Sequence, residues 1–382
     1  MPSEELEPVE KPSGKRAEKS TEKRNGKSNG LPSAYKELDA LLKKHMDGTA
    51  RAAIFSHRFP DPDAVGSMLG MQWLLLRKYQ IESDLFYFGD VAHPQNATMC
   101  NLLEPGMQKV EDYNAELYGL RILVDAIPKN AGVNGHEIVF DLVIDHHRDL
   151  PQDYDGVLVH MKIGSCSAAV FDIIKKLCTE NTPWFEHSID FDTKVATALI
   201  TGIMVDTTFM LSDDTTEYER VAFDQLFPYR DSKVLHDVIF FKRPKFWIDK
   251  KAQGCATATI EQQGYAIVGL GLIPEKSRDL LADMADEMVS WASVETAIAF
   301  GIVGGDRIEG CVRSLDSSLA VSDFCKILGT EDGSGGGKQG KGAYRIVLSP
   351  KIEPDEDPEE LQEVLDILTK REVGRIMKLI KQ

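Results

Sequence analysis

Several things are scarce in this chain, and each absence excludes something. No uninterrupted apolar run in its 382 residues approaches the ~20 that a membrane-spanning helix requires. None of the six cysteines (Cys100, Cys166, Cys178, Cys255, Cys311, Cys325) stands in a CxxC pair. Thiolate zinc motifs are therefore not expected, and the cysteines read as reduced, mostly buried thiols of a cytoplasmic protein. The N-terminus carries no apolar core of the secretory kind. Basic charge is short as well: 44 Lys and Arg stand against 61 Asp and Glu, for a net charge of −17. That balance argues against broad binding of duplex DNA, which needs a basic face. It leaves room for a local basic groove, or for a phosphorylated substrate held through metal ions. Residues 1–30 have almost no apolar side chains to offset chain entropy and are predicted to form a disordered tail.

What is present suits a soluble protein with two cores, since 42% of the residues are hydrophobic and the length allows two ordinary domains. Tyr35, Leu38, Leu41 and Leu42 fall at helical spacing. Short apolar runs over 52–55, 85–88, 120–124, 139–144 and 157–159 then read as strands, with helical patterns over 65–79, 167–178 and 193–204. That rhythm predicts an α/β fold with a mostly parallel sheet, occupying 31–226. Residues 227–250 are expected to connect it to a smaller α/β domain over 251–350. Strands are expected there at 256–260, 265–270, 297–303, 307–312 and 345–348, with helices at 278–290 and 321–328. The remainder, 351–382, reads as a helical extension with Leu361, Val364, Leu365 and Leu368 on one face.

The chemistry gathers where apolar runs end. Residues 56–67, SHRFPDPDAVGS, place His57, Asp61 and Asp63 in a tight turn between a strand and a helix. Asp125 closes LRILVD, Asp145-His146-His147 closes LVIDHH, and Asp206 closes TALITGIMVD. Asp141, at a strand start, is a weaker candidate. One carboxylate after a strand usually caps the next helix, but caps do not explain several at successive strand ends. Four carboxylates and two imidazoles, from His57, Asp61, Asp63, Asp125, His146 and Asp206, suit two divalent ions about 3.5–4 Å apart that together activate a water for attack on phosphorus. The mixed oxygen and nitrogen set favours Mn²⁺ over Ca²⁺, with Mg²⁺ or Zn²⁺ also compatible. Asp145, beside His146, suits the role of orienting an imidazole. His147 is left to bind or protonate a phosphate oxygen.

In order and spacing, HRFPDPDAVGS, LVDA, VIDHH and GIMVDT resemble the successive motifs of the DHH phosphoesterase superfamily over about 52–209. The resemblance implies that His57 and Asp61 bind one ion, that Asp63 and His146 bind the other, and that Asp125 and Asp206 touch both. It also implies that His147 contacts phosphate and that the protein dimerises through its catalytic domain. Residues 311–314 (CVRS) and 333–342 (GSGGGKQGKG) resemble the DHHA1 domain, whose Arg-Ser pair and glycine loop hold substrate in an interdomain cleft. Arg313, Ser314, Gly335, Gly336, Gly337, Lys338 and Lys341 are the corresponding substrate-binding candidates. The family's loop carries a histidine where this chain has Lys338, which puts the nucleotide preference in question. The nearest group by size is the nanoRNase/pAp phosphatases. That implies hydrolysis of short single-stranded oligonucleotides or of a 3′,5′-bisphosphorylated nucleotide. Alternatives are a cyclic or linear dinucleotide phosphodiesterase and a nucleotide-binding regulatory protein with weak hydrolysis.

Two features have plainer readings first. Ser165-Cys166-Ser167 at a helix start is expected to cap that helix, with substrate contact second. Phe240, Phe241, Phe246 and Trp247, interleaved with Lys242, Arg243 and Lys245, are expected to pack a connecting helix, with single-stranded nucleic acid second.

Overall fold

The computed structural model describes residues 32–46, 51–129, 138–147, 154–179, 189–261, 263–330, 333–352 and 358–381. The tail expected over 1–30 lies outside them. The first part of the chain runs α1 (Ser33–Lys43), β1 (Arg51–Arg58), α2 (Pro62–Leu74), β2 (Ser83–Phe88), α3 (Pro94–Leu103), β3 (Gln108–Lys109), β4 (Tyr118–Val124), β5 (Leu142–Asp145) and β6 (Val157–His160), then α4 (Cys166–Thr179), α5 (Thr193–Asp206), α6 (Glu217–Leu226) and α7 (Ser232–Ile239). Its strands form one parallel sheet in the order β3-β2-β1-β4-β5-β6. The central strands are apolar on both faces, as sheets covered on both sides require: Ala52 to Phe55 on β1 and Leu142 to Ile144 on β5 are wholly buried. One face packs against α2, α4 and α5. The other carries an aromatic cluster in which Phe55 meets Phe86, Tyr113 and Phe140.

The sheet order turns back between β1 and β4, and this is where open α/β sheets leave a crevice at the carboxyl ends of their strands. Helix α2 starts there because Asp61 accepts the backbone N–H groups of Asp63 and Ala64 and Pro62 presets the first turn. It then runs against α5. A Cβ on Gly202 of α5 would collide with the Ser167 hydroxyl and come within 2.9 Å of Asp63 Cα, so glycine lets these helices close around Asp63.

The second part runs α8 (Lys245–Thr257), β7 (Thr259–Ile260), β8 (Tyr265–Ile273), α9 (Leu280–Met288), β9 (Thr296–Val303), β10 (Arg307–Ser314), α10 (Val321–Gly329), β11 (Ser334–Lys338), β12 (Lys341–Val347) and α11 (Pro358–Ile380). Its sheet is mixed, in the order β11-β12-β10-β9-β8-β7, with only β8 and β9 parallel. One face holds Trp247 of α8 with Leu280 and Met284 of α9, and the other holds Val321 and Cys325 of α10 with Leu365 and Ile376 of α11.

Several expectations change here. The stretch 227–250 divides: α7 packs on α3 and α5, while α8 carries Trp247 into the second core. Residues 256–260 are mostly the end of α8, with only Thr259–Ile260 in a strand. Of the aromatic residues at the start of α8 and just before it, Phe240 is exposed and the others pack. Trp247 is buried, His93 contacts both Phe241 and Trp247 edge-on, and Arg243 pairs with Asp283 at 3.1 Å. The glycine run is no loop but strand β11, paired in register with β12. Glycine is needed at Gly335 because α10 lies directly on the strand there: a Cβ would overlap the Cys325 carbonyl. The terminal helix is no free extension either. The Tyr344 hydroxyl of β12 donates to Glu372 of α11 at 2.8 Å, inside the second core. Among the described residues no helix is long and apolar enough to cross a membrane.

Candidate metal centre

The six residues read as metal ligands converge at the crevice. His57 ends β1, Asp61 and Asp63 open α2, Asp125 follows β4, His146 follows β5 and Asp206 ends α5. His57 Nε2 lies 3.4 Å from Asp125 Oδ2 and 3.8 Å from Asp61 Oδ1. His146 Nε2 lies 3.3 Å from Asp125 Oδ1, 3.5 Å from Asp206 Oδ2 and 3.8 Å from Asp63 Oδ2. Potential ligand atoms of His57, Asp61 and Asp125, and separately those of Asp63, His146 and Asp206, fall within 4.8 Å of one another. Asp125 lies between the two groups, one oxygen toward each imidazole.

Each imidazole is aimed by its other nitrogen. His57 Nδ1 is 2.9 Å from the Arg58 carbonyl, and His146 Nδ1 is 3.0 Å from the Ile163 carbonyl. A carbonyl only accepts, so Nδ1 carries the hydrogen in both rings, and Nε2 faces the carboxylates. Asp145 was expected to orient His146; instead its Oδ1 holds His147 Nδ1 at 2.8 Å. Asp63 is held by backbone, its oxygens accepting the N–H groups of Cys166 at 2.7 Å and Ser167 at 2.8 Å. The Ser165–Ser167 segment thus does more than cap: Ser165 Oγ accepts from Ala168, while its neighbours' amides fix a carboxylate. Asp206 is followed by Thr207, whose hydroxyl donates to the Ile203 carbonyl and accepts from Met210, pinning the turn.

Such a cluster is electrostatically crowded. Burial, then the charges of Asp125 and Asp206, push the Asp63 carboxyl well above the usual range. Burial likewise raises Asp206 to about 6, against the pull of His146 and Lys338. Burial disfavours charge on His146, but the nearby carboxylates of Asp125, Asp63 and Asp206 outweigh this and raise it to about 11. Asp125 is held well below the carboxylate range against its burial, by His146 and His57. Its buried Oδ1 has no hydrogen-bond partner of ordinary geometry. Buried carboxylates, imidazoles aimed by carbonyls and an orphaned oxygen between them fit a divalent cation in place of protons.

Glu219 was missed by sequence reasoning. Wholly buried, it accepts from Gly164 N at 2.9 Å and Ser165 N at 3.3 Å with one oxygen. The other takes Thr216 N and the Thr216 hydroxyl at 2.7 and 2.6 Å. Thr216-x-x-Glu219 is a capping box, a signature visible in the sequence. Glu219→Ala would leave these buried donors unmet, and a loss of about 3 kcal/mol or more is expected in urea unfolding. Weaker Mn²⁺ binding should accompany it, because the same turn presents the amides that hold Asp63.

The second-domain candidates divide. Arg313 Nε is bound to Asp286 at 2.6 Å, and the buried Ser314 hydroxyl is paired with Thr296 at 2.8 Å, so both are engaged within their own domain. Gly335 and Gly336 line a cavity of about 490 Å³, and Gly337 pairs with Gly342 in the hairpin. Lys341 faces Lys338 across the hairpin turn. Lys338 is the one whose charge reaches the centre, where it acts on Asp206.

Residues 51–203 match the DHH family, N-terminal domain. The first domain is a DHH domain. Among curated proteins, the chain is 26% identical over 310 residues to an uncharacterized protein of Methanocaldococcus jannaschii, covering 81% of this chain and 60% of that one. It is 24% identical over 299 residues to the cyclic-di-AMP phosphodiesterase GdpP of Bacillus subtilis, covering 72% of this chain and 42% of that one. The chain therefore spans only about two fifths to three fifths of these relatives' lengths. Its fold resembles the crystal structure of an exopolyphosphatase-related protein from Bacteroides fragilis, with a TM-score of 0.62 at 16% identity over 91% of this chain and 98% of that one.

Proposed function

We propose that the protein is a divalent-metal-dependent phosphoesterase that hydrolyses short oligonucleotides or a 3′,5′-bisphosphorylated nucleotide. The observation that carries the reading is the convergence of two imidazoles and four carboxylates at one sheet edge. His57, Asp61 and Asp125 would hold one ion and Asp63, His146 and Asp206 the other, with Asp125 reaching toward both. Two such ions, Mn²⁺ by donor preference, supply a water activated near neutral pH and polarise the phosphoryl oxygens. The chain's own residues do the rest. His147 is fixed through Nδ1 by Asp145, whose hydrogen bond raises the imidazole's pKa against the effect of burial. Its Nε2–H is therefore available to donate to a phosphate or leaving-group oxygen. Lys338 offers a point charge for a phosphate entering from the second domain. The acidic net charge suits short substrates better than long polyanions, whose binding needs an extended basic surface.

A second reading, a cyclic-dinucleotide phosphodiesterase, is favoured by the similarity to a cyclic-di-AMP phosphodiesterase. Turnover of a dinucleotide, adenosine 3′,5′-bisphosphate, cyclic di-AMP and pyrophosphate with Mn²⁺ separates the two. Release of mononucleotide or phosphate from either of the first two is expected. Hydrolysis of cyclic di-AMP alone would favour the second reading, and hydrolysis of pyrophosphate alone would sink both. Lys338→Ala is expected to raise KM about tenfold while kcat changes little, because an ammonium on a non-reacting oxygen contributes equally to ground and transition states. Equal loss in kcat would place Lys338 at the reacting phosphorus.

A further inference from the structure

Between the ligand candidates His57 and Asp61 stands Phe59, a bulky side chain held in the left-handed backbone region at φ 63°. That conformation is unfavourable for a residue with a Cβ and persists only where its surroundings impose it. Here the Phe59 N–H donates to the Phe88 carbonyl at 3.0 Å, and the ring is seated on Gly89, where a Cβ would come within 3.0 Å of it. The ring so placed carries two guanidinium groups. Arg58 Cζ lies 4.7 Å from its centroid, and Arg278 Cζ, from the second domain, lies 5.1 Å away.

Two guanidiniums brought to one ring concentrate positive charge that an anion can neutralise. Their own carboxylates do not neutralise them. Among the described residues no carboxylate lies within ion-pair distance of Arg58. Arg278 has only Glu309, at 3.3 Å, and Glu309 is shared with Arg307 at 2.6 Å. Arg278 also lines the 490 Å³ cavity with Gly335, Gly336 and Arg345, and Asp279 is the other acid in its wall. A guanidinium stacked on an aromatic face keeps its in-plane N–H groups free, and stacking holds it ready for a planar oxyanion.

We infer that Arg58 and Arg278 form a clamp for a second phosphoryl group of the substrate, one that is not cleaved. The clamp deepens the phosphoesterase reading and rests on it for the word substrate: the favoured class is nucleotides bearing at least two phosphates. It also explains why a phenylalanine occupies a strained position inside the ligand loop. The ring ties the loop to the second domain through the group that reads the far phosphate.

The test is calorimetric binding of the dinucleotides pApA and ApA to the metal-free full chain. They differ only in a terminal phosphate, so the part of their difference that the arginine variants remove reports the clamp. Wild type should bind pApA about 10- to 100-fold more tightly, the range expected of hydrogen bonds to a charged group. Arg278→Ala and Arg58→Ala, the latter at an exposed position, should each shrink that gap without changing ApA binding, and Arg278→Lys should restore part of it. Equal binding of both ligands by wild type would overturn the inference. So would an Arg58→Ala or Arg278→Ala protein that weakens both ligands alike. Turnover with Mn²⁺ is read separately: if neither dinucleotide is hydrolysed, the phosphoesterase reading fails while the binding gap still judges the clamp.

Discussion

Asp125→Asn is expected to strip the centre of tightly bound Mn²⁺ and lower kcat/KM by about 10³-fold or more, with the fold intact. The side chain is nearly isosteric, and the backbone suits it. Asp125 sits at φ 57°, a left-handed position that asparagine tolerates as readily as aspartate. What changes is charge and donor pattern. Asp125 Oδ2 faces His57 Nε2 at 3.4 Å and Oδ1 faces His146 Nε2 at 3.3 Å, so it is the carboxylate common to both ligand groups. An amide there replaces one acceptor oxygen by a donor and removes a negative charge from between two cation positions. A metal acting on a phosphoryl group is worth several kcal/mol of transition-state stabilisation, and about 4 kcal/mol corresponds to 10³ in rate. The checks are elemental analysis of bound Mn²⁺ after gel filtration, steady-state kinetics, and far-ultraviolet circular dichroism for the fold. A variant that retains two ions per chain and near-native turnover would remove Asp125 from the centre.

The six residues that converge at this crevice were legible in the sequence because chemistry and patterning coincide there. The apolar runs of β1, β4 and β5 end at the crevice, and each leaves a histidine or aspartate within a residue or two of its end. Parallel strands align such ends on one edge, so order along the chain translates into proximity. Other elements escaped for definable reasons. Helix α8 buries only Trp247 and Gly254 among its residues, too few to impress a 3.6-residue period on the sequence. Strand β11 is Ser-Gly-Gly-Gly-Lys, which has no strand propensity. It is a strand because β12 supplies the ladder, and at Gly335 α10 lies too close for a side chain. Arg313 fits a phosphate-binding motif by type, yet nothing local predicts that Asp286, 27 residues earlier, takes its guanidinium. The Arg58–Phe59–Arg278 contact joins residues more than two hundred positions apart, and no periodicity carries that information.

Metal loading should release protons, and this gives the second large effect. In the metal-free chain His146 is raised to about 11 and His57 well above its ordinary value, because Asp125 and its neighbours favour the imidazolium despite burial. At pH 7.5 His146 is therefore protonated, and a ring that carries a proton on Nε2 must lose it before that nitrogen can ligate. Titration calorimetry of Mn²⁺ at pH 7.5, in buffers of different ionisation enthalpy, should show net proton release, with His146, His57 and the raised Asp63 carboxyl as its sources. Affinity should rise with pH, by up to about tenfold per unit for each proton displaced. Stability has the opposite sign in the metal-free form. A group whose folded pKa lies above its unfolded value of about 6.5 stabilises the fold fully below that value, and the contribution fades as pH rises toward 11. The metal-free melting temperature should thus fall between pH 6.5 and 9, while saturating Mn²⁺ flattens the dependence by taking the protons' place. His146→Ala should reduce the proton count by about one and leave the His57 contribution. If Mn²⁺ binds tightly to the wild-type chain with no proton released, the two imidazoles are not its ligands, and the centre must be rebuilt around the carboxylates alone.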